Sequence, residues 1–270
     1  MSNSIYLDLT GFIFKITFKV NIQEIGVTGR DKFKNEIGYI FSNCIIRGKI
    51  PSKIDLYVDI YDPNLLELIH EKNSNRVYQL LFTVVSENRI ATSIQINIHQ
   101  FRMILWNYYS KFLNKNKGFV LHSSGVSVGG NAFLFLGHSG AGKSTAARLL
   151  SKYYPQIADD TGVLCHEKKQ YYYFSLPLPE KVSWIRRDNT RYNMGKVFFV
   201  KKSKEFKIEK IIDKEVVLKK FINQGFTSDD TRSIMPYILD FVSSFSDFYY
   251  LYFDKNAEKL YELIKDVENE

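Results

Sequence analysis

Residues 133–145 read Phe133-Leu134-Phe135-Leu136-Gly137-His138-Ser139-Gly140-Ala141-Gly142-Lys143-Ser144-Thr145, and this run decides the fold class. Four consecutive apolar residues predict a buried strand. Residues 137–144 fit the spacing G-x-x-x-x-G-K-[ST]. The Ala- and Leu-rich segment that follows, Ala146-Ala147-Arg148-Leu149-Leu150, predicts a helix. In a strand–loop–helix unit of this kind, glycines let the backbone curl so that several N–H groups point inward at phosphate oxygens. The opening helix adds the positive end of its dipole. Lys143 is expected to reach the β- and γ-phosphates, and Ser144 to ligate Mg²⁺. The expected nucleotide contacts are therefore Gly137, His138, Ser139, Gly140, Ala141, Gly142, Lys143, Ser144 and Thr145, with His138 contributing its backbone more than its ring.

Asp159-Asp160 is the next signal downstream. The helix is expected to run from Lys143 to about Tyr153 and to stop at Pro155. Residues 156–159 then read as a short returning strand. A strand–helix–strand crossover makes its two strands parallel, so both end on one edge of the sheet. This delivers the two aspartates to the loop. Neighbouring residues on a strand face opposite sides, which predicts different jobs for the two carboxylates: one on the metal, one on the acceptor. The same four residues, Asp159-Asp160-Thr161-Gly162, are also good surface-turn chemistry.

Outward from this centre, residues 119–128 and 132–136 flank Gly129-Gly130-Asn131, a hairpin signal. Further strands are expected at 162–166, 170–175, 196–201 and 205–211, and helices at 214–223, 231–245 and 256–268. Between 101 and 115 the apolar period becomes helical: Phe101, Ile104, Leu105, Tyr108, Phe112 and Leu113 share one face. Upstream, 5–20 and 54–97 are rich in β-branched and aromatic residues and read as strands. The expected organisation is a β-rich N-terminal region over 1–100, a linking helix over 101–117, and a catalytic α/β domain over 118–270.

Composition narrows the class. The chain has 270 residues, a net charge of +8 and 45% apolar residues, which are globular values. The charge suits polyanionic partners such as nucleotide phosphates or an acidic protein. The lysines are spread along the chain, with one looser basic stretch from Lys201 to Lys220, and no nucleic-acid motif accompanies them, so nucleic acid is not the expected partner. Two cysteines, Cys44 and Cys165, make neither a disulfide framework nor a metal site, which predicts a reducing, cytoplasmic setting. Asp8 interrupts the N-terminal apolar run, so no signal peptide is expected. No run approaches the roughly 18 apolar residues of a membrane span.

Leu121-His122-Ser123-Ser124-Gly125, Gly130-Asn131-Ala132-Phe133-Leu134-Phe135, the 137–145 run and Ala158-Asp159-Asp160 together resemble the HPr kinase/phosphorylase family. They most resemble its HPr-kinase-like members from ribosomal-peptide clusters, including lasso-peptide serine kinases. The close likeness spans 119–165, and a weaker one extends to Met194-Gly195-Lys196-Val197-Phe198-Phe199-Val200. The resemblance implies a P-loop kinase fold of the HPr-kinase/phosphoenolpyruvate-carboxykinase type, with ATP and Mg²⁺ as cofactors. It implies phosphoryl transfer to a serine hydroxyl, with Asp159 as catalytic aspartate, Asp160 as magnesium aspartate and His122 as a further catalytic-site residue. Homo-oligomers are common in the family. The glycine-rich, arginine-bearing signature of the bifunctional enzymes is absent, which argues against phosphorolysis and against HPr as substrate.

The expectation is thus a kinase in which Lys143, Ser144, Asp159 and Asp160 carry the chemistry. The acceptor is a peptide or protein serine, with a small metabolite (free serine, a sugar, a nucleoside) as alternative. A nucleotide-binding regulator without transfer is the rival from another class. Arg186, Arg187 and Arg191 form a basic cluster that could neutralise a transferring phosphoryl group or be a solvated loop. His70, His99 and His166 are isolated and are assigned no chemistry.

Overall fold

The computed structural model describes residues 3–19, 22–61, 68–70, 77–79, 82–116, 118–175, 185, 189–223 and 231–268. The chain divides into two compact units, 1–109 and 110–270.

In the first unit, β1 (Ser4–Leu9) and β2 (Phe12–Lys19) pair antiparallel around Thr10-Gly11, both at positive φ. That is the twist a two-residue hairpin needs. Ile5, Leu7 and Leu9 on β1, and Phe14, Ile16 and Phe18 on β2, are buried with period two. Helix α1 (Ile22–Ile40) carries the chain over to β3 (Leu56–Tyr61), which lies parallel to β2. The short pair β4 (Leu68–His70) and β5 (Val77–Gln79) stands apart. β6 (Phe82–Ser86) and β7 (Arg89–Ser93) complete a mixed sheet of order β1-β2-β3-β7-β6. Helix α1 lies in a stretch that sequence patterning left unassigned.

Helix α2 (Ile98–Lys115) spans the unit boundary. It starts three residues before the apolar period predicts, because Asn97 and Gln100 cap each other. The Asn97 side chain accepts from the Gln100 amide at 3.0 Å, and the Gln100 side chain accepts from the Asn97 amide at 2.9 Å.

The second unit is one large sheet with helices on both faces. Its elements are β8 (Gly118–Leu121), β9 (Ser124–Val128), β10 (Asn131–Leu136), α3 (Lys143–Leu150), β11 (Gln156–Ala158), β12 (Gly162–Glu167), β13 (Gln170–Ser175), β14 (Arg191–Lys202), β15 (Lys207–Lys210), α4 (Lys214–Asn223), α5 (Thr231–Ser244), β16 (Phe248–Phe253) and α6 (Ala257–Glu268). The strand order is β11-β9-β10-β14-β13-β12-β8, with β16 on the C-terminal half of β14 and β15 beyond it. β10, β14 and β16 run parallel.

Strand alternation sorts these side chains into two cores. Leu134, Leu136, Val197, Phe199 and Phe248 pack with Phe221 of α4 and Ile238 and Phe241 of α5. Phe133, Phe135, Phe198 and Val200 pack with Ala146, Ala147 and Leu150 of α3 and Leu260 and Ile264 of α6. A strand covered on both faces reads as an unbroken apolar run, which is why Phe133–Leu136 is legible.

Two local expectations change. The segment 119–128 is not one strand: it breaks at His122-Ser123, β8 pairs with β12, and only β9 pairs with β10. The hairpin turn is Gly129-Gly130, at φ 55° and 83°. β16, Phe248-Tyr249-Tyr250-Leu251-Tyr252-Phe253, is an additional strand. Its six apolar and aromatic residues, which sequence patterning left unassigned, form an unbroken run like that of Phe133–Leu136, and the strand pairs parallel with β14.

Candidate functional site

The glycine-rich loop joins the C-terminal end of β10 to α3. A Cβ on Gly137, at φ 154°, would stand 2.9 Å from the Ala141 Cβ. One on Gly142, at φ 114°, would stand 3.3 Å from the Phe253 ring. Both positions therefore require glycine for conformation and for space. The Ala141 amide donates to the His138 carbonyl at 3.1 Å and closes the curl. Lys143, only 7% exposed, turns back through the loop. Its Nζ donates to the carbonyls of Gly137 at 2.8 Å and His138 at 3.3 Å. Burial pushes its pKa down, and the charge of Asp160 pulls it partly back up. An ammonium is thus stored against backbone carbonyls, where an entering anion can take it over.

Beyond α3 the chain returns on β11. Both β10 and β11 are antiparallel to β9, so they are parallel to each other with β9 between them. The returning strand ends at Ala158, after a register shift against β9. Asp159 and Asp160 fall in the following bend, not on the strand. Alternation across a pleat therefore does not separate the two carboxylates; the bend does. Three serines build that bend. Ser124 Oγ donates to the Asp159 carbonyl at 2.5 Å, and Ser144 Oγ donates to the same carbonyl at 3.3 Å. The Ser123 amide donates to the Asp160 carbonyl at 3.1 Å.

The side chains of the bend are half-buried. Gln156 Nε2 donates to Asp159 Oδ1 at 3.5 Å. His122 Nε2 stands 3.6 Å from Asp160 Oδ1, at the break between β8 and β9. Below it, Ser123 Oγ meets the hydroxyl of fully buried Tyr173 at 3.0 Å. Gly162 leaves room for that ring, since a Cβ there would lie 1.8 Å from the Tyr173 hydroxyl. Ser123, Ser124, Gly162 and Tyr173 thus hold the carboxylates in place. Their individual roles were not legible in the sequence, because the partners are a backbone carbonyl and a residue some 50 positions away.

The remaining candidates are placed as follows. Thr145 is half-buried in the first turn of α3, and Ser139 is exposed on the loop. The His138 ring folds onto its own loop, Nδ1 lying 2.8 Å from the Ser139 carbonyl. Arg186 and Arg187 lie outside the described residues. Arg191 is not brought to the loop: it begins β14, whereas the loop follows the other end of the paired strands. It pairs with Glu167 at 2.8 Å and lies over the Tyr172 ring. His166 stacks on Tyr171 and approaches Asp240 at 3.0 Å. His99 is exposed, and the side chain of His70 lies outside the described residues. Among the described residues no three of His, Cys, Asp and Glu gather as a metal cluster.

On the β14 side, the loop borders a cleft of about 510 Å³. It is lined by Gly137, His138, Gly140 and Ala141, and across from them by Phe199, Val200, Lys201, Lys202, Lys220 and Asn223. The only sequence signal for this wall was the loose basic stretch beginning at Lys201.

Residues 84–216 match the family described as SynChlorMet cassette protein ScmC. No curated protein sequence matches the chain. Among solved structures, the Hpr(Ser) kinase/phosphatase from Coxiella burnetii is similar with a TM-score of 0.31 at 10% identity, over 56% of this chain and 90% of that one.

Proposed function

We propose that this chain is an ATP- and Mg²⁺-dependent phosphotransferase acting on a hydroxyl, that of a serine in a peptide or protein. The observation that carries this is the convergence of Lys143, Ser144, Asp159 and Asp160: Ser144 Oγ donates to the Asp159 carbonyl, and the charge of Asp160 acts on Lys143. The 137–145 loop would cradle the phosphates with its amides, and Lys143 would exchange the carbonyls of Gly137 and His138 for β- and γ-phosphate oxygens. Magnesium is bound by hard oxygens, commonly one or two carboxylates plus the phosphates themselves. A serine hydroxyl, a neighbouring carboxylate and no nitrogen–sulfur cluster fit that demand. Ser144 and Asp160 would hold the ion, whose bound charge would offset that of the transferring group. Asp159 would accept the proton of the acceptor hydroxyl, and His122, 3.6 Å from Asp160, would steady the carboxylate bend.

Serine in a peptide follows from the sequence resemblance and suits a basic chain. Among the described residues no helix is long and apolar enough to cross a membrane. The matched family is described as a cassette protein, so products of neighbouring genes are the natural first acceptors to try.

The test supplies ATP and Mg²⁺ with a panel of serine-bearing peptides, free serine, sugars and nucleosides, and reads the products by mass spectrometry. One phosphoryl group gained by a peptide supports the reading. Gain confined to a small metabolite corrects the acceptor, and nucleotide binding with no phosphorylated product overturns transfer.

A further inference from the structure

Lys201 and Lys220 come from different elements to the same place. On β14 the residues facing α4 and α5 are Val197 and Phe199, and by strand period Lys201 continues that row past the end of the core. On β16 the same face carries Phe248, Tyr250 and, by the same period, Tyr252. Lys201 Nζ lies 3.8 Å from the centre of the Tyr250 ring and donates to the Tyr252 hydroxyl at 2.9 Å. Lys220, from α4, lies 4.7 Å from the centre of that same Tyr250 ring and 5.5 Å from that of Phe199.

Two ammonium groups therefore share one aromatic platform. Among the described residues no carboxylate lies in ion-pair range of Lys201, Lys202 or Lys220, although surface lysines elsewhere have such partners: Lys207 with Glu209, and Lys210 with Asp247. Burial, then repulsion by Lys201, pushes the Lys220 pKa down. The nearest carboxylate, Glu209, is paired with Lys207 and reaches Lys201 only through the Tyr252 hydroxyl and at longer range, so it offsets the two charges only in part. Like charges held together destabilise a fold, and an anion between them relieves the cost. The opposite wall of the cleft is the glycine-rich loop, at Gly137, His138, Gly140 and Ala141.

We propose that Lys201 and Lys220 form an oxyanion subsite contiguous with the glycine-rich loop, taking a phosphate or carboxylate group beyond what the loop itself holds. Tyr250 and Tyr252 position the first ammonium, and Phe199 and Tyr250 the second. Lys202 adds charge at the rim. The occupant is either the phosphate chain of a nucleotide or an anionic group on a separate molecule such as the acceptor. The assignment stands on the cleft itself and does not require that phosphoryl transfer occur.

The test is calorimetric titration of the full chain with inorganic phosphate, in a Lys143→Ala background that weakens binding at the loop. Lys201→Gln and Lys220→Met are each expected to weaken phosphate about tenfold, the size of one lost charge-assisted hydrogen bond. Phosphate affinity unchanged by both substitutions overturns the subsite. Thermal melting guards against a folding artefact. Without phosphate, Lys220→Met should melt no lower than its parent, and a given phosphate concentration should raise the melting temperature of the parent more than that of the variant. A second arm repeats the titration on the chain with Lys143 intact, saturated with a magnesium-bound, non-hydrolysable ATP analogue. Displacement of phosphate assigns the cleft to the nucleotide's own phosphate chain, and undiminished phosphate binding assigns it to a separate anion. Either result keeps the subsite. Lysine-dependent phosphate binding in a chain that fails to bind the ATP analogue would overturn the kinase reading while leaving the subsite in place.

Discussion

The loop has two flanks, and they are built in opposite ways. On one side, Asp159 and Asp160 sit in a bend tied down by Ser123, Ser124 and Ser144, with Tyr173 beneath. On the other, Lys201 and Lys220 stand on aromatic rings with no carboxylate in range among the described residues. The carboxylate flank is held by hydrogen bonds to the backbone carbonyls of the bend. The lysine flank joins β14, β16 and α4 and is held mainly by cation–aromatic contact, with one hydrogen bond from Lys201 to the Tyr252 hydroxyl. A hydrogen-bonded bend fixes atoms to a few tenths of an ångström, as a metal or a proton acceptor requires. Ammonium groups on rings are held more loosely and act through charge over several ångströms. The contrast suggests that one flank orients and the other attracts.

The largest effect is expected at the residue between the flanks. Lys143→Ala should lower phosphoryl transfer by about a thousandfold, the scale of losing one preorganised charge donor. ADP release with an identified acceptor measures it. Near-normal turnover would remove the loop from the chemistry and leave the comparison without a centre.

On the carboxylate flank, Asp159→Asn and Asp160→Asn should each cost at least about a hundredfold, but differently. Asp160→Asn should raise the Mg²⁺ concentration for half activity, because a hard cation needs the charge. Asp159→Asn should lower the maximal rate with little change in that midpoint. Magnesium titrations of both variants check this, and the reverse pattern would exchange the two roles.

Gly162→Ala probes how rigidly that flank is held. The added methyl would overlap the Tyr173 hydroxyl. Overpacking of this kind costs about 1–3 kcal/mol, read as a lowered melting temperature. Loss of the Ser123–Tyr173 contact should also lower activity more than the same substitution at Gly130, where a Cβ meets nothing within 4 Å but the backbone is left-handed, at φ 83°. Equal losses at the two positions would mean that Tyr173 does not support the bend.

The smallest effect belongs to the lysine flank. The Lys220 pKa lies below 10.5 in the folded chain, by burial and by Lys201. Approaching that value from below, the unfolded chain holds more protons than the folded one, so this residue's contribution to stability rises with pH. Wild type should therefore gain slightly more melting temperature than Lys220→Met between neutral pH and about pH 10. A larger alkaline gain in the variant would show that Lys220 is not under electrostatic pressure.

How much of this was legible depended on sequence distance. The loop, its strand and its helix are contiguous, and their residue types alone carry the pattern. Asp159-Asp160 was found because a crossover must return to the edge it left. The claim that strand alternation divides the two carboxylates failed, because hydroxyl groups of Ser124 and Ser144 capture the Asp159 carbonyl and the chain turns there. Residue types left Arg191 open between a phosphate-facing role and a solvated loop, and strand direction puts it at the far end of β14 from the glycine-rich loop. β16 went unassigned although its six apolar and aromatic residues carry the same buried-strand signal, because no motif beside it, as the glycine-rich loop stands beside β10, drew attention to it.

The sequence by itself therefore determined the local structure: a strand, a glycine-rich loop, a helix opening at Lys143, and two aspartates returning soon after. These rest on interactions within about 25 residues, where spacing and backbone preference are enough. Only the tertiary structure decided what stands on either side of that loop. The direction of β14 excluded Arg191 and brought Lys201 forward, and α4 carried Lys220 onto the Tyr250 ring. Tyr173 reached Ser123 across 50 residues. Such neighbours are set by strand order and by which face of a sheet a helix covers, and a linear pattern of residue types contains neither.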